Sequence, residues 1–126
     1  MIGNKMKLLT KSIEKKLIKQ QLETDDASRA KHKPFLKLFN PCGDATWLLS
    51  EYNPEDEMFY GLCDLGMGSP ELGYVSLYEI MAIKLPFGLG IERDMYFNPN
   101  RTLLEYWELA IECHDITSVH DYRNKL

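Results

Sequence analysis

Between residues 35 and 63 three short apolar, aromatic runs follow one another: Phe35-Leu36-Lys37-Leu38-Phe39, Thr46-Trp47-Leu48-Leu49-Ser50-Glu51-Tyr52 and Met58-Phe59-Tyr60-Gly61-Leu62-Cys63. They are separated by Asn40-Pro41-Cys42-Gly43-Asp44 and Asn53-Pro54-Glu55-Asp56-Glu57, residue types that turn a chain sharply. Short runs punctuated in this way specify an antiparallel meander. Leu72-Gly73-Tyr74-Val75 supplies a fourth strand after the loop Gly66-Met67-Gly68-Ser69-Pro70. Ile91 to Phe97 supplies a fifth, closed by Asn98-Pro99-Asn100.

Helical signals flank this sheet. Leu9, Ile13, Leu17, Ile18 and Leu22 follow helical spacing, which predicts an amphipathic helix over about 10–23 with Thr10 or Ser12 as N-cap. Ser76-Leu77-Tyr78-Glu79 has capping-box spacing and opens a short helix from Leu77 to about Ile83, ended by Pro86 and Gly88. Thr102-Leu103-Leu104-Glu105 is a second such box, before a helix over about 102–113 with Leu103, Leu104, Trp107, Ala110 and Ile111 on one face. The polar stretch from Thr24 to Pro34 lacks periodicity and reads as a long, mobile or functional connection. The expected architecture is α+β, an antiparallel sheet of about five strands with two to three helices packed mainly on one face. A single domain is expected over residues 1–126, with the sheet and short helix in 35–97.

Hydrophobic residues make up 44% and charged residues 27%, which excludes a low-complexity or disordered chain. Only two consecutive apolar residues interrupt the lysines of the first eleven positions, and no window approaches a membrane span, so neither secretion nor membrane insertion is expected. Cys42, Cys63 and Cys113 are odd in number and far apart, as in a reduced, cytoplasmic protein. Net charge divides unevenly. Residues 1–40 carry ten Lys and Arg against four Asp and Glu, a balance of +6, and residues 41–126 carry a balance of −10. The lysines Lys5, Lys7, Lys11, Lys15, Lys16 and Lys19 could dock on nucleic-acid phosphates or form a solvated helix face. The basic N-terminal and acidic remaining surfaces could also pair between copies into a homodimer.

Two segments, Pro70-Glu71-Leu72-Gly73-Tyr74-Val75-Ser76-Leu77-Tyr78-Glu79-Ile80 and Leu89-Gly90-Ile91-Glu92-Arg93-Asp94-Met95-Tyr96-Phe97, carry a resemblance. They resemble the signature of domain-of-unknown-function family 2958, small bacterial proteins. The segments Phe39 to Trp47 and Tyr60-Gly61-Leu62 fit the same pattern, so the likeness spans about Lys7 to Asn98. It implies the company of proteins carried by plasmids, phages and integrative elements. It implies no activity and no site residues.

Candidate chemistry lies in a few places. Glu92 and Asp94 alternate along the fifth strand and share a face, with Arg93 on the other. If the strand of Tyr74 were their neighbour, Glu71 would join them, and three carboxylates could hold a divalent cation or supply a general acid and base of a hydrolase. The structural alternative pairs Arg93 with an acid across the sheet and has Glu71 accept from the preceding turn. Gly88-Leu89-Gly90 is no dinucleotide fingerprint, because its third position falls at Arg93 and no helix follows, so no cofactor is expected. Cys113, His114 and His120 lack the spacing of a zinc site, and no metal is expected. Cys42 and Cys63 read as small buried packing residues.

The stretch Leu85-Pro86-Phe87-Gly88-Leu89-Gly90-Ile91 is apolar yet broken by glycine and proline, so part of it is expected at the surface. The leading functional reading is accordingly a non-enzymatic, protein-binding accessory factor of a mobile element that engages a host or element-encoded protein through its acidic surface and the Phe87 loop, with Phe87, Leu89 and Arg93 at the contact. The alternatives are the carboxylate-dependent, metal-assisted hydrolase and a nucleic-acid binder.

Overall fold

The computed structural model describes Lys5 and residues 7–113. Helix α1 (Lys11–Glu23) starts where Thr10 Oγ1 accepts a hydrogen bond from the Ile13 N–H at 3.3 Å. A polar connection with one 3-10 turn at Arg29–Lys31 leads into β1 (Leu36–Phe39), β2 (Thr46–Asn53), β3 (Met58–Asp64) and β4 (Glu71–Ser76). Then come α2 (Leu77–Met81), a turn at Pro86–Gly88, β5 (Glu92–Arg93) and α3 (Leu103–Cys113). All strands form one antiparallel sheet in the order β4-β3-β2-β1-β5.

Both predicted boxes cap their helices. At α3 the exchange is reciprocal: Glu105 N–H donates to Thr102 Oγ1 at 3.2 Å while Thr102 N–H donates to Glu105 Oε1 at 2.9 Å. Two backbone orphans at the helix start are thereby satisfied at once. Hydrogen bonding from Thr102, its backbone N–H first, holds the Glu105 carboxyl below the usual carboxylate range.

Strand β5 is shorter than the expected 91–97. Asp94 N–H still donates to the Lys37 carbonyl at 2.9 Å, but Asp94 Oδ1 then accepts from Tyr96 N–H at 2.9 Å. An aspartate that bonds its own downstream backbone makes a turn, and the chain leaves the sheet there.

The register places Leu36, Leu38, Trp47 and Leu49 on one face, where they pack with Leu8, Leu9, Leu17 of α1, and Leu77 and Ile80 of α2. The other face carries Leu48 and Leu62, which pack against Leu103, Tyr106 and Ala110 of α3. Two of the three helices among the described residues thus cover one face and the third covers part of the other. Strand β2, central and clad on both sides, is buried from Thr46 to Tyr52, which is why its sequence does not alternate.

A bulge interrupts β2. Leu49 pairs with Gly61, but the next pairs are Glu51 with Tyr60 and Tyr52 with Phe59, so Ser50 is an extra residue. Strict alternation would point Glu51 toward the α1 face with Leu49; the bulge turns it to the α3 face and sends Tyr52 into the α1 core. Gly61 permits this close approach, since a Cβ there would stand 2.1 Å from the Leu48 carbonyl oxygen. The bulged backbone is tied down as well, because the Ser50 carbonyl accepts from Gln20 Nε2 of α1 at 2.6 Å.

Candidate functional site

Beside the β5 edge several large apolar side chains lie open to water. Phe87 is 98% exposed, Tyr96 92%, Met95 72% and Leu89 43%. Phe87 also adopts the left-handed backbone, φ 64°, a conformation that costs a non-glycine residue about 1–2 kcal/mol. The loop is closed by hydrogen bonds from Leu85 N–H to the Leu89 carbonyl (3.0 Å) and from Leu89 N–H to the Pro86 carbonyl (3.3 Å). The chain therefore fixes a large apolar ring in water at a local backbone cost, with no burial of the ring to offset it.

Two adjoining grooves of about 440 and 350 Å³ run from this loop along β5 and share Arg93 and Met95 as walls. Lys7, Lys37, Lys84 and Arg93 border this surface, against Glu92 and Asp94. Lys37 is paired with Asp94 at 3.6 Å. Arg93 pairs with no acid among the described residues: its Nε donates to the Lys7 carbonyl at 3.2 Å, tying the edge strand to the segment before α1. The local balance is basic, which corrects the expected acidic contact surface: residues 41–126 are acidic as a whole, but Lys7 and Lys37 come to this edge from the basic N-terminal stretch.

The three carboxylates do not converge. Glu71 opens β4 and Glu92 lies in β5, and these strands form opposite edges of the sheet with β3, β2 and β1 between them. At about 4.8 Å per strand the two edges are about 19 Å apart. The strand of Tyr74 neighbours β3 and not β5, which removes Glu71 from Glu92 and Asp94. Glu92 and Asp94 do lie on the side of β5 away from Arg93, which pairs with Leu38 and faces the α1 side. Among the described residues no group of three or more His, Cys, Asp and Glu side chains is placed to hold a metal ion.

A second site, unforeseen in the sequence, occupies the part of the α3 face that α3 leaves open. A cleft of about 490 Å³ is lined by Gln21, Arg29, Glu51, Asn53, Asp56, Met58, Tyr60 and Tyr74. Arg29 enters from the polar connection after α1. Its Nε donates to both oxygens of Glu51 at 3.2 and 3.0 Å, and its Nη1 to Tyr74 Oη at 3.0 Å and to Asp26. The guanidinium carbon stands 5.6 Å from the Tyr60 ring centroid and 6.0 Å from that of Tyr74, and the rings meet edge to face at 5.2 Å.

Electrostatics follow from burial. Desolvation pushes the Glu51 carboxyl above its usual range despite the opposing charge of Arg29. For Arg29 burial acts to lower the value, but the charge of Glu51 and the hydrogen bonds to it outweigh burial and hold the guanidinium above its ordinary value. Burial likewise raises the Tyr60 phenol. The turn that delivers Arg29 is fixed by Asp25 Oδ1, which accepts from Ser28 Oγ (2.8 Å) and Ser28 N–H (2.9 Å), bonds that lower the Asp25 carboxyl.

Cys63 packs against the α1-side core, and burial, aided by the Glu71 charge, pushes its thiol up to about 11. Cys42, expected to be buried, is exposed in the β1–β2 turn, where its N–H donates to Asn40 Oδ1 at 2.7 Å. His114, Asp115, His120 and Asp121 lie outside the described residues, as does the Cys113 side chain. No helix among the described residues is long and apolar enough to cross a membrane.

Comparison with known proteins gives one finding. The family described as "Protein of unknown function (DUF2958)" matches residues 8–117. The chain belongs to this family. The family match spans the five strands and three helices described above, and with them both surfaces. No curated protein and no solved structure gave a match.

Proposed function

We infer that the protein is a non-enzymatic, protein-binding accessory factor that docks a partner polypeptide on the β5 face through Phe87, Leu89 and Arg93. The observation that supports this reading most is Phe87, almost fully exposed and held in a left-handed conformation beside two apolar grooves. An apolar ring kept in water at a backbone cost has a physical reason to exist if a partner covers it. Lys7 and Lys84, which form no ion pair among the described residues, and the backbone-bound Arg93 on its rim select the partner's chemistry: an apolar anchor flanked by carboxylates. The mobile-element setting implied by the sequence resemblance suits a factor of this kind.

A peptide-display selection tests the proposal. Peptides with Leu, Phe or Met among Asp and Glu are expected to be enriched on the wild-type protein and to lose binding to Phe87→Ser. Enrichment of basic peptides, or binding indifferent to Phe87→Ser, would overturn it.

A second reading has its own support. Lys11, Lys15, Lys16 and Lys19 are exposed along α1 and form no ion pair among the described residues. Such a stripe fits a phosphate backbone, and binding to duplex DNA would fall steeply with salt. A gel shift at low and moderate salt that shows no complex at either removes that reading.

A further inference from the structure

Strand β4 forms one edge of the sheet, and its outward backbone is unused. Leu77 N–H donates to the Glu57 carbonyl at 3.0 Å, next to the pair of Met58 with Ser76, and this fixes the alternation along the strand. Glu71, Gly73 and Val75 bond to β3, whereas Leu72 and Tyr74 turn N–H and C=O, and Ser76 its N–H, away from it. No strand lies beyond, and among the described residues no hydrogen bond reaches the outward groups of Leu72 and Tyr74. Natural sheets blunt an open edge with lysine, proline, a bulge or brevity. The edge at β5 is two residues long, but β4 is six residues, about 20 Å, pairs without a bulge and contains neither lysine nor proline. An edge in this state is a template for another strand.

The surroundings of the edge select a second copy of the same chain. Large apolar side chains, each more than half exposed, stand at both of its ends and in its middle: Leu65 and Met67 in the β3–β4 loop, Tyr74 in the strand, and Tyr78 in the first turn of α2. A twofold axis at Tyr74 sets Tyr74 against Tyr74, Leu72 against Ser76 and Gly73 against Val75. The branched Val75 of each copy then meets open space, because a Cβ on Gly73 would have nothing within 4 Å. Among twofold registers this one engages every outward residue of both strands. Centring on Leu72 or Gly73 brings Pro70 into the ladder, which has no N–H and whose carbonyl already accepts from Trp107 Nε1 at 3.1 Å. Centring on Val75 or Ser76 runs past the strand into α2.

We propose that two copies of this chain join along their β4 edges, about a twofold axis at Tyr74, into one ten-stranded antiparallel sheet. Each β3–β4 loop comes to the end where the second copy's α2 begins, so Leu65 and Met67 are covered there by Tyr78 of that copy. With roughly 100 Å² open on each of the four side chains and the two backbone edges added, the contact covers on the order of 1,200 Å² in all, the size at which specific interfaces begin. The association rests on backbone and apolar side chains, since Glu71 is the one charge in the strand. The β5 faces lie at the far ends of the joined sheet and stay open, two to a dimer. Failure of either proposal therefore leaves the other standing.

Sedimentation velocity on the intact chain at micromolar concentration tests this. The wild type is expected to sediment as a dimer at low and at high salt, and Phe87→Ser likewise. Tyr74→Lys, which sets two lysines against each other at the axis, is expected to sediment as a monomer with unchanged circular dichroism. A cross-link reads the register without depending on that variant. Directly opposed, hydrogen-bonded residues have Cα atoms about 5.5 Å apart, within reach of a disulfide, so Tyr74→Cys is expected to form a covalent dimer on mild oxidation. Tyr78→Cys, similarly exposed but remote from its own copy, is expected to stay as unlinked as the wild type with its exposed Cys42. A monomeric wild type, a dimer that dissociates with salt, a dimer that persists in Tyr74→Lys or is lost in Phe87→Ser, or cross-linking of Tyr78→Cys equal to that of Tyr74→Cys would each overturn the proposal.

Discussion

The β5 face and the β2–β4 cleft present opposite solutions to the placement of costly groups at a surface. At β5 the exposed residues are apolar, local in sequence and held by their own loop: Phe87, Leu89, Met95 and Tyr96 fall within ten positions. In the cleft the costly groups are charges, drawn from distant segments and withdrawn from water: Arg29 and Glu51 lie 22 residues apart and meet over Tyr60 and Tyr74. The first can be changed without disturbing the fold, because little rests on it. The second joins the α1–β1 connection to the sheet, so the same residues serve cohesion and any ligand.

This difference orders the expected effects of mutation. Gly61→Ala should be the most damaging, because its Cβ would be driven to 2.1 Å from the Leu48 carbonyl and undo the bulge that aims Glu51. A loss of about 3 kcal/mol or more is expected in urea denaturation. A loss below about 1 kcal/mol would mean that β2 and β3 do not approach so closely there.

Arg29→Ala comes next. It strands Glu51 as a buried charge without its partner, at about 3 kcal/mol. The added change Glu51→Gln should recover a large part of that loss, and a double-mutant cycle by denaturation measures the coupling. Purely additive effects would show that the pair contributes nothing to holding the connection on the sheet.

Tyr52 supplies a pH-dependent counterpart in the α1-side core. Its buried hydroxyl has no hydrogen-bond partner among the described residues, and desolvation, assisted by Glu57 and Glu14, pushes the phenol from 10.0 up to about 12. The native state thus keeps a proton that the unfolded chain releases. The corresponding stability is fully present below pH 10 and is lost, by up to about 3 kcal/mol, as the pH rises through about 12. Ultraviolet difference titration should show a late phenol beyond the raised Tyr60, and Tyr52→Phe should abolish that latest step while changing neutral stability by less than about 1 kcal/mol.

The smallest effect belongs to the β5 face. Phe87→Ser removes no buried contact and should alter stability by less than about 0.5 kcal/mol in thermal melts. A larger loss would mean that the ring supports the fold and is not held free for a partner.

The same contrast explains what could be read in the sequence. The meander was legible because Asn40-Pro41-Cys42-Gly43-Asp44 and Asn53-Pro54-Glu55-Asp56-Glu57 are local turn signals, and the α3 start was legible because Thr102 and Glu105 solve a local problem. The exposed Phe87 loop was legible for the same reason: glycine and proline interrupt an apolar run. Strand order was not, since whether β4 or β1 lies beside β5 is decided by tertiary packing, and with it whether Glu71 can join Glu92 and Asp94. Glu51 was hidden because alternation assigns it to the wrong face unless Ser50 is known to be a bulge. The one signal pointing to it was a glutamate inside an otherwise apolar strand, opposite a strand containing Gly61. Arg29, one of three cations in a stretch without periodicity, carried no local mark at all.

The most direct test is to tag wild-type protein, Phe87→Ser and Tyr74→Ala equally and compare, in one experiment, the binding of an acidic peptide with an apolar anchor selected on the wild type. Binding lost with Phe87→Ser and retained with Tyr74→Ala is the predicted result. Binding that survives Phe87→Ser and disappears with Tyr74→Ala would contradict the assignment of the β5 face as the docking surface.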